Sequence, residues 1–354
     1  MTINVLKVFA PATLSFFFGL LITYPILRVL NKNQMWKKKS VELALDGTVA
    51  TISQKLHQDE NRHTPRMGGL VIWISALVTT LAFYSLIYLF PTSLIAHKLN
   101  FFSRNQTWLP LFTLLVGSLV GLLDDYLVVG GQGNHIDGGL PLRTRIIVVL
   151  VLGAIGAWWF STKLEATALF IPFYGSIELG LWFYPIFIIT MLALFSGSVI
   201  DGIDGLSGGV LVSIFSAYAG IAFFRDQIDL AAFSAAIVGG ILAFLWNNIP
   251  PAKFYMSETG ILGLTVTLTV VAFLTESAVV LPIIAFPLLA ASGSSLLQIL
   301  SKKFRGKKIF LVAPIHHHFQ AKGWPAQQVT MRFWIISIIS ASIGMVIALI
   351  GNLK

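Results

Sequence analysis

Leu119-Val120-Gly121-Leu122-Leu123-Asp124-Asp125 closes an apolar run that begins near residue 108, and it closes on two adjacent carboxylates. A run of that length is close to the roughly 20 residues that cross a bilayer as a helix. Nine comparable runs lie at approximately 7–30, 68–92, 144–162, 180–198, 206–224, 231–248, 260–275, 278–300 and 331–352, the pair around 260–300 being the least cleanly separated. The 354 residues are 56% hydrophobic and 11% charged, whereas a soluble domain carries roughly 25% charge. The fold expected is therefore all-α: a polytopic membrane protein of about ten transmembrane helices, one integral domain over residues 1–354. Its longest polar loops fall at about 31–67 and 301–330. The first run is too long for a signal-peptide core and is expected to stay as a span.

With ten spans, alternate loops share a face. The loop after the first span carries Lys32, Lys37, Lys38, Lys39, Lys55, Arg62 and Arg66, and the loop after the ninth carries Lys302, Lys303, Arg305, Lys307, Lys308 and Lys322. The opposite loops hold chiefly Lys98, Arg104, Lys163 and Arg225. Basic loops face the cytoplasm, so both termini are expected outside. A net charge of +9 so distributed reports orientation and lipid contact rather than nucleic acid. The absence of cysteine excludes disulfides and thiolate metal sites.

The same threading gathers the candidate chemistry on the basic face. Asp124 and Asp125 repel each other, so either one is protonated or a cation neutralises both; the plain alternative is a solvated helix end. Asp201-Gly202-Ile203-Asp204-Gly205 sets two carboxylates three apart, which a helix would turn to one face, or which a polar turn would leave in water. Glu258 adds a fifth carboxylate just before another span, with Asn247 and Asn248 at the end of the preceding one. Hard oxygen donors from several loops suit magnesium, which takes one or two carboxylates and completes its shell with water and phosphate. His316-His317-His318 cannot all converge on one point from a regular helix, so a zinc site made of all three is not expected. One or two of them beside Lys307, Lys308 and Lys322 suit an anionic ligand instead. In Thr64-Pro65-Arg66-Met67-Gly68-Gly69 the glycines either ease helix packing or let Arg66 and the backbone hold phosphate.

Together these residues resemble the phospho-N-acetylmuramoyl-pentapeptide transferase family, within the polyprenyl-phosphate sugar-phosphate transferases. The resemblance runs from about residue 62 to the C-terminus. It is densest over Gly306-Lys307-Lys308-Ile309-Phe310, Ala313-Pro314-Ile315-His316-His317-His318-Phe319, Lys322-Gly323-Trp324-Pro325 and Arg332-Phe333-Trp334. Asp124-Asp125-Tyr126, Asp201-Gly202-Ile203-Asp204-Gly205-Leu206 and Thr64-Pro65-Arg66-Met67-Gly68-Gly69 resemble its acidic and glycine motifs. The chain departs from the pattern at Val128 and Asn61, where lysines are usual, at Ser198 for asparagine, at Glu258 for the metal-binding aspartate and at Ile261 for serine.

The resemblance implies peptidoglycan synthesis: transfer of phospho-MurNAc-pentapeptide from UDP-MurNAc-pentapeptide to undecaprenyl phosphate, giving lipid I and UMP, with Mg2+ as cofactor and a cytoplasmic site. It implies that Glu258 holds magnesium and that Asp124 or Asp125 shares it, orients the acceptor, or acts as base or nucleophile. Asp201, Asp204 and Asn248 are then expected to position donor or metal, and His316, His317 and His318 to contact the donor. A related enzyme using another UDP-sugar and a catalytically degenerate membrane scaffold are the alternatives, and a homodimer is left open.

Overall fold

The computed structural model describes residues 1–36, 63–131 and 139–351. Lys37, Lys38, Lys39, Lys55, Asn61 and Arg62 therefore lie outside the described residues. In chain order the elements are α1 (Thr2–Lys32), α2 (Leu70–Leu89), α3 (Leu94–Leu99), α4 (Trp108–Gly130), α5 (Leu142–Lys163), a hairpin of β1 (Ala168–Ile171) and β2 (Gly175–Glu178), α6 (Phe183–Ser196), α7 (Leu206–Phe224), α8 (Ile228–Asn248), α9 (Ser257–Leu274), α10 (Leu281–Ile284), α11 (Phe286–Arg305), α12 (Ile315–Ala321) and α13 (Ala326–Ile350). Among the described residues nine helical segments are long and apolar enough to cross a membrane. The ninth expected span is instead broken, with Ala278–Ile284 and Phe286–Arg305 meeting at 79°. Pro287 supplies the reason, because its ring removes a backbone donor and clashes with the preceding turn. Residues 301–330, expected as a loop, hold the end of α11, all of α12 and the start of α13.

Burial separates a centre from a ring. Buried positions make up 89% of the most apolar stretch of α9, 78% of that of α8 and 72% of that of α7, against 22% for α1 and 28% for α13. The outer helices present Leu, Ile and Phe side chains outward, among them Phe17, Leu21, Ile335 and Ile339, as a lipid-facing surface requires. Thr265, Thr269 and Thr275 on α9 return their hydroxyls to carbonyls one turn back, and Thr267 meets Thr113 of α4 at 3.2 Å. These threonine hydroxyls therefore need no water inside the bilayer.

The contact that positions the functional end is between α4 and α9. Gly117 and Gly121 on α4 face Gly263 and the Glu258–Thr259 backbone on α9, so closely that a Cβ on Gly121 would overlap the Glu258 carbonyl. Small residues four apart let two helices touch backbone to backbone. Gly69, just before α2, approaches Gly260 in the same way. Asp124 and Asp125, one turn beyond Gly121, are thereby delivered beside Glu258. At the opposite end Arg225 pairs with Glu276 at 3.0 Å, and Phe173 of the hairpin donates to the Gly351 carbonyl.

Gly121→Ala should lower the thermal unfolding temperature in detergent, since overpacking a tight contact costs about 1–3 kcal/mol. Gly293→Ala on α11, where a Cβ meets open space, should be neutral or stabilising. Equal unfolding temperatures for Gly121→Ala and wild type would contradict the α4–α9 contact.

Candidate active site

Helix α4 does not stop at the aspartate pair. It continues for more than a turn and ends at Gly131, whose φ of 63° is a left-handed cap. Val128 and Val129 in that extra turn are buried, and so are both aspartates: Asp124 is 2% exposed and Asp125 fully enclosed. Glu258, expected just ahead of a span, is the second residue of α9, where the helix dipole favours an acid.

The two aspartates have different surroundings. Asp125 Oδ1 accepts from Arg66 Nε and Nη2, both at 2.9 Å, and Oδ2 accepts from the Thr259 amide at 2.9 Å and the Thr259 hydroxyl at 2.6 Å. Arg66 is itself fixed by its neighbours: Tyr255 donates to the Pro65 carbonyl, and Gly68 and Gly69 donate to the carbonyls of Tyr255 and Met256. Burial works against the Arg66 charge, but Asp125, helped by Glu258 and Asp201, outweighs it and raises the guanidinium above its ordinary value. In the structure the glycines of this motif pack against the 254–260 segment and the Arg66 guanidinium binds Asp125.

Asp124 Oδ1 accepts from the Leu140 amide at 2.6 Å and lies 3.9 Å from Arg145 Nε. Arg145 Nη1 donates to Glu258 Oε1 at 2.7 Å. The second oxygen, Glu258 Oε2, is buried without a hydrogen-bond partner. Arg145 thus stands between Asp124 and Glu258. Sequence reasoning missed Arg145 and Thr259; the signal for Arg145 was a cation in the first turn of an apolar span, against the helix dipole.

The spaced acidic motif is a turn rather than a helix, so its carboxylates separate. Gly205, at φ 76°, breaks the helical path. Asp201 faces the site, accepting from the Ser207 hydroxyl at 2.6 Å and the Ser257 amide at 2.8 Å. Burial raises its carboxyl above the usual range, against the pull of those two donors. Asp204 turns to the Ala252 amide at 2.9 Å. Asn248 accepts from the Gly205 amide and donates to the Phe254 carbonyl, both at 2.9 Å, and so ties this turn to the 249–256 loop.

The histidines divide as well. His316 and His317 stand over the acidic turn: a Cβ on Gly202 would lie 2.7 Å from His317 Nε2 and 3.0 Å from His316 Nε2. His317 Nδ1 is 2.7 Å from Gln320 Oε1. His318 points to its own loop, where Nδ1 accepts from the Leu311 amide at 3.1 Å. Burial, and then Lys322, lower its pKa.

Among the described residues no three His, Cys, Asp or Glu side chains form a ready metal cage. Two carboxylates do converge, and one offers a buried, unpartnered oxygen. Magnesium needs no more protein ligands than that, so Asp124 and Glu258 fit it. Asp125, with both oxygens already engaged, fits it less well.

Residues 107–276, from the start of α4 to just beyond α9, match the glycosyl transferase family 4 model. The chain is 34% identical over 313 residues to the phospho-N-acetylmuramoyl-pentapeptide-transferase of Listeria innocua, covering 87% of this chain and 91% of that protein. Its identity to the protein of the same name from Geobacillus sp. is 35% over 296 residues, 83% and 86% of the two chains. With that of Latilactobacillus sakei it is 33% over 302 residues, 85% and 89%.

Asp125→Asn should destabilise the protein strongly, because removing one partner of a buried ion pair costs about 3–5 kcal/mol. Glu258→Gln should cost less, because Arg145 keeps the Asp124 carboxylate and the glutamine oxygen can still accept from it. Thermal unfolding of both variants in one detergent checks the difference, and matching losses would contradict it.

Proposed function

The chain belongs to the phospho-N-acetylmuramoyl-pentapeptide transferase family, and on that footing we propose that it transfers phospho-MurNAc-pentapeptide from UDP-MurNAc-pentapeptide to undecaprenyl phosphate, releasing UMP and forming lipid I. The observation that carries the reading is the convergence of Asp124, Glu258 and Arg145 at the packed ends of α4, α9 and α5, next to Asp201. Placing this end at the cytoplasmic face of the inner membrane lets a soluble nucleotide reach it while a polyprenyl acceptor arrives through the bilayer. The positive-inside pattern of Lys302, Lys303, Arg305, Lys307 and Lys308 supports that placement. The helices then act as one integral transferase domain.

In this reading an oxygen of the acceptor phosphate attacks the sugar-linked phosphorus of the donor, and the bond to UMP breaks. Phosphoryl transfer of this kind is mostly positioning and charge stabilisation. Asp124, whose Oδ2 has no hydrogen bond among the described residues, is assigned to the acceptor side, where it takes or shares the attacking group's proton. Asp125 is assigned to holding Arg66 and the N-terminus of α9 in place. His316 and His317, above Gly202, are assigned to the donor, whereas Asp204 and Asn248 shape the turn beneath it and His318 braces the loop. Asp124 and Glu258 would hold a magnesium ion, which when bound neutralises diphosphate charge.

A scaffold without activity draws support from Val128 and Asn61, where lysines are usual. Arg145 restores a cation to the described site, which favours the enzyme. The test is UMP release by the purified protein given UDP-MurNAc-pentapeptide, undecaprenyl phosphate and Mg2+. Turnover should appear with Mg2+ or Mn2+, vanish on chelation, and fall about a hundredfold or more in Glu258→Gln. Full turnover in that variant would remove Glu258 from the site, and no turnover in wild type would favour the scaffold.

A further inference from the structure

We propose that Arg145 is a resident counter-cation: it holds Glu258 and Asp124 while no metal is bound, yields Glu258 to a divalent ion, and then serves the donor's diphosphate. This rests on the reading of Asp124 and Glu258 as the metal carboxylates. The geometry supplies the first part. The guanidinium binds Glu258 Oε1 at 2.7 Å and lies 3.9 Å from Asp124 Oδ1, in the gap a shared cation would fill.

Charge balance makes a cation there necessary. The charges acting on Glu258 are those of Arg145, Asp125, Asp124 and Arg66. Arg66 is committed to Asp125 through two donors, which among the described residues leaves Arg145 to neutralise Asp124 and Glu258. Two carboxylates so close and so largely buried repel each other strongly unless a cation stands between them. An arginine, unlike a lysine, cannot surrender its proton to relieve the problem.

The pairing is also incomplete. Arginine and a carboxylate can form two parallel hydrogen bonds, yet here one forms, and both Arg145 Nε and Glu258 Oε2 are buried without a hydrogen-bond partner. An ion pair built only to join α5 to α9 would satisfy both. The unpaired acceptor is available to a metal and the unpaired donor to an anion. Position adds a further reason. Arg145 is the fourth residue of α5, where the dipole disfavours a cation, so helix stability does not explain it. Val128, standing where a lysine is usual, packs instead below Gly139, with a Cβ on that glycine lying 2.9 Å from its Cγ2. The phosphate-facing charge absent from α4 is then supplied from α5.

The test is Mn2+ binding to the purified protein by electron paramagnetic resonance, alongside UMP release, for wild type, Arg145→Gln and Arg145→Lys. Removing a competing charge should tighten Mn2+ binding about tenfold in Arg145→Gln, while turnover falls about a hundredfold. Arg145→Lys keeps the charge and should hold Mn2+ affinity close to wild type. A structural tie predicts the reverse for the metal: unchanged or weaker Mn2+ binding in Arg145→Gln beside an active wild type would overturn the proposal and leave the transferase reading standing. A wild type that neither binds Mn2+ nor releases UMP would overturn that reading and the proposal with it.

Discussion

Enclosed carboxylates cannot remain charged side by side unless cations stand among them. Asp124, Asp125, Asp201 and Glu258 are brought to one end of a helical bundle, and the rest of the structure follows from how that charge is managed. Arg66 with Thr259 meets it at Asp125, Ser207 and the Ser257 amide meet it at Asp201, and Arg145 meets it incompletely at Asp124 and Glu258. In the first two arrangements both carboxylate oxygens have donors. The third is left with an unpartnered donor and acceptor, and there the chemistry is expected.

That arrangement depends on glycine. The approach of Gly117 and Gly121 to α9 leaves no room for side chains between the helices, so the acidic end of α4 and the first turn of α9 share one small volume. Neighbouring carboxylates on different helices are costly to assemble, and backbone contact between those helices makes the assembly rigid. The Arg66 loop bonds to the 255–256 backbone from a third direction. The acidic turn at 201–205 closes a fourth side through Asn248.

Much of this was legible in the sequence. Length and apolarity gave the spans, because a bilayer fixes how long a spanning helix must be, and the rarity of acids in so apolar a chain picked out the aspartates and Glu258. Periodicity could not show that α4 runs past Asp125, since Tyr126-Leu127-Val128-Val129 reads equally as span or loop. Nor could it show the 79° break at Ala285, just ahead of Pro287, because a proline in an apolar run is compatible with a kinked span. The split of Asp201 from Asp204 turns on the φ of Gly205, and the division between Asp124 and Asp125 on which donors lie within 3 Å. Both are tertiary facts. Arg145 escaped notice for the same reason: it is near Glu258 only after α5 packs beside α9.

The central claim is that Asp124 and Glu258 act on one cation while Asp125 does not. A double-mutant cycle of Mn2+ affinity over Asp124→Asn and Glu258→Gln measures it directly, because two ligands of one ion couple strongly and independent sites add. The account predicts that either single change removes most of the affinity and that the double variant loses little more. Losses that simply add, or Mn2+ binding indifferent to both substitutions, would contradict it.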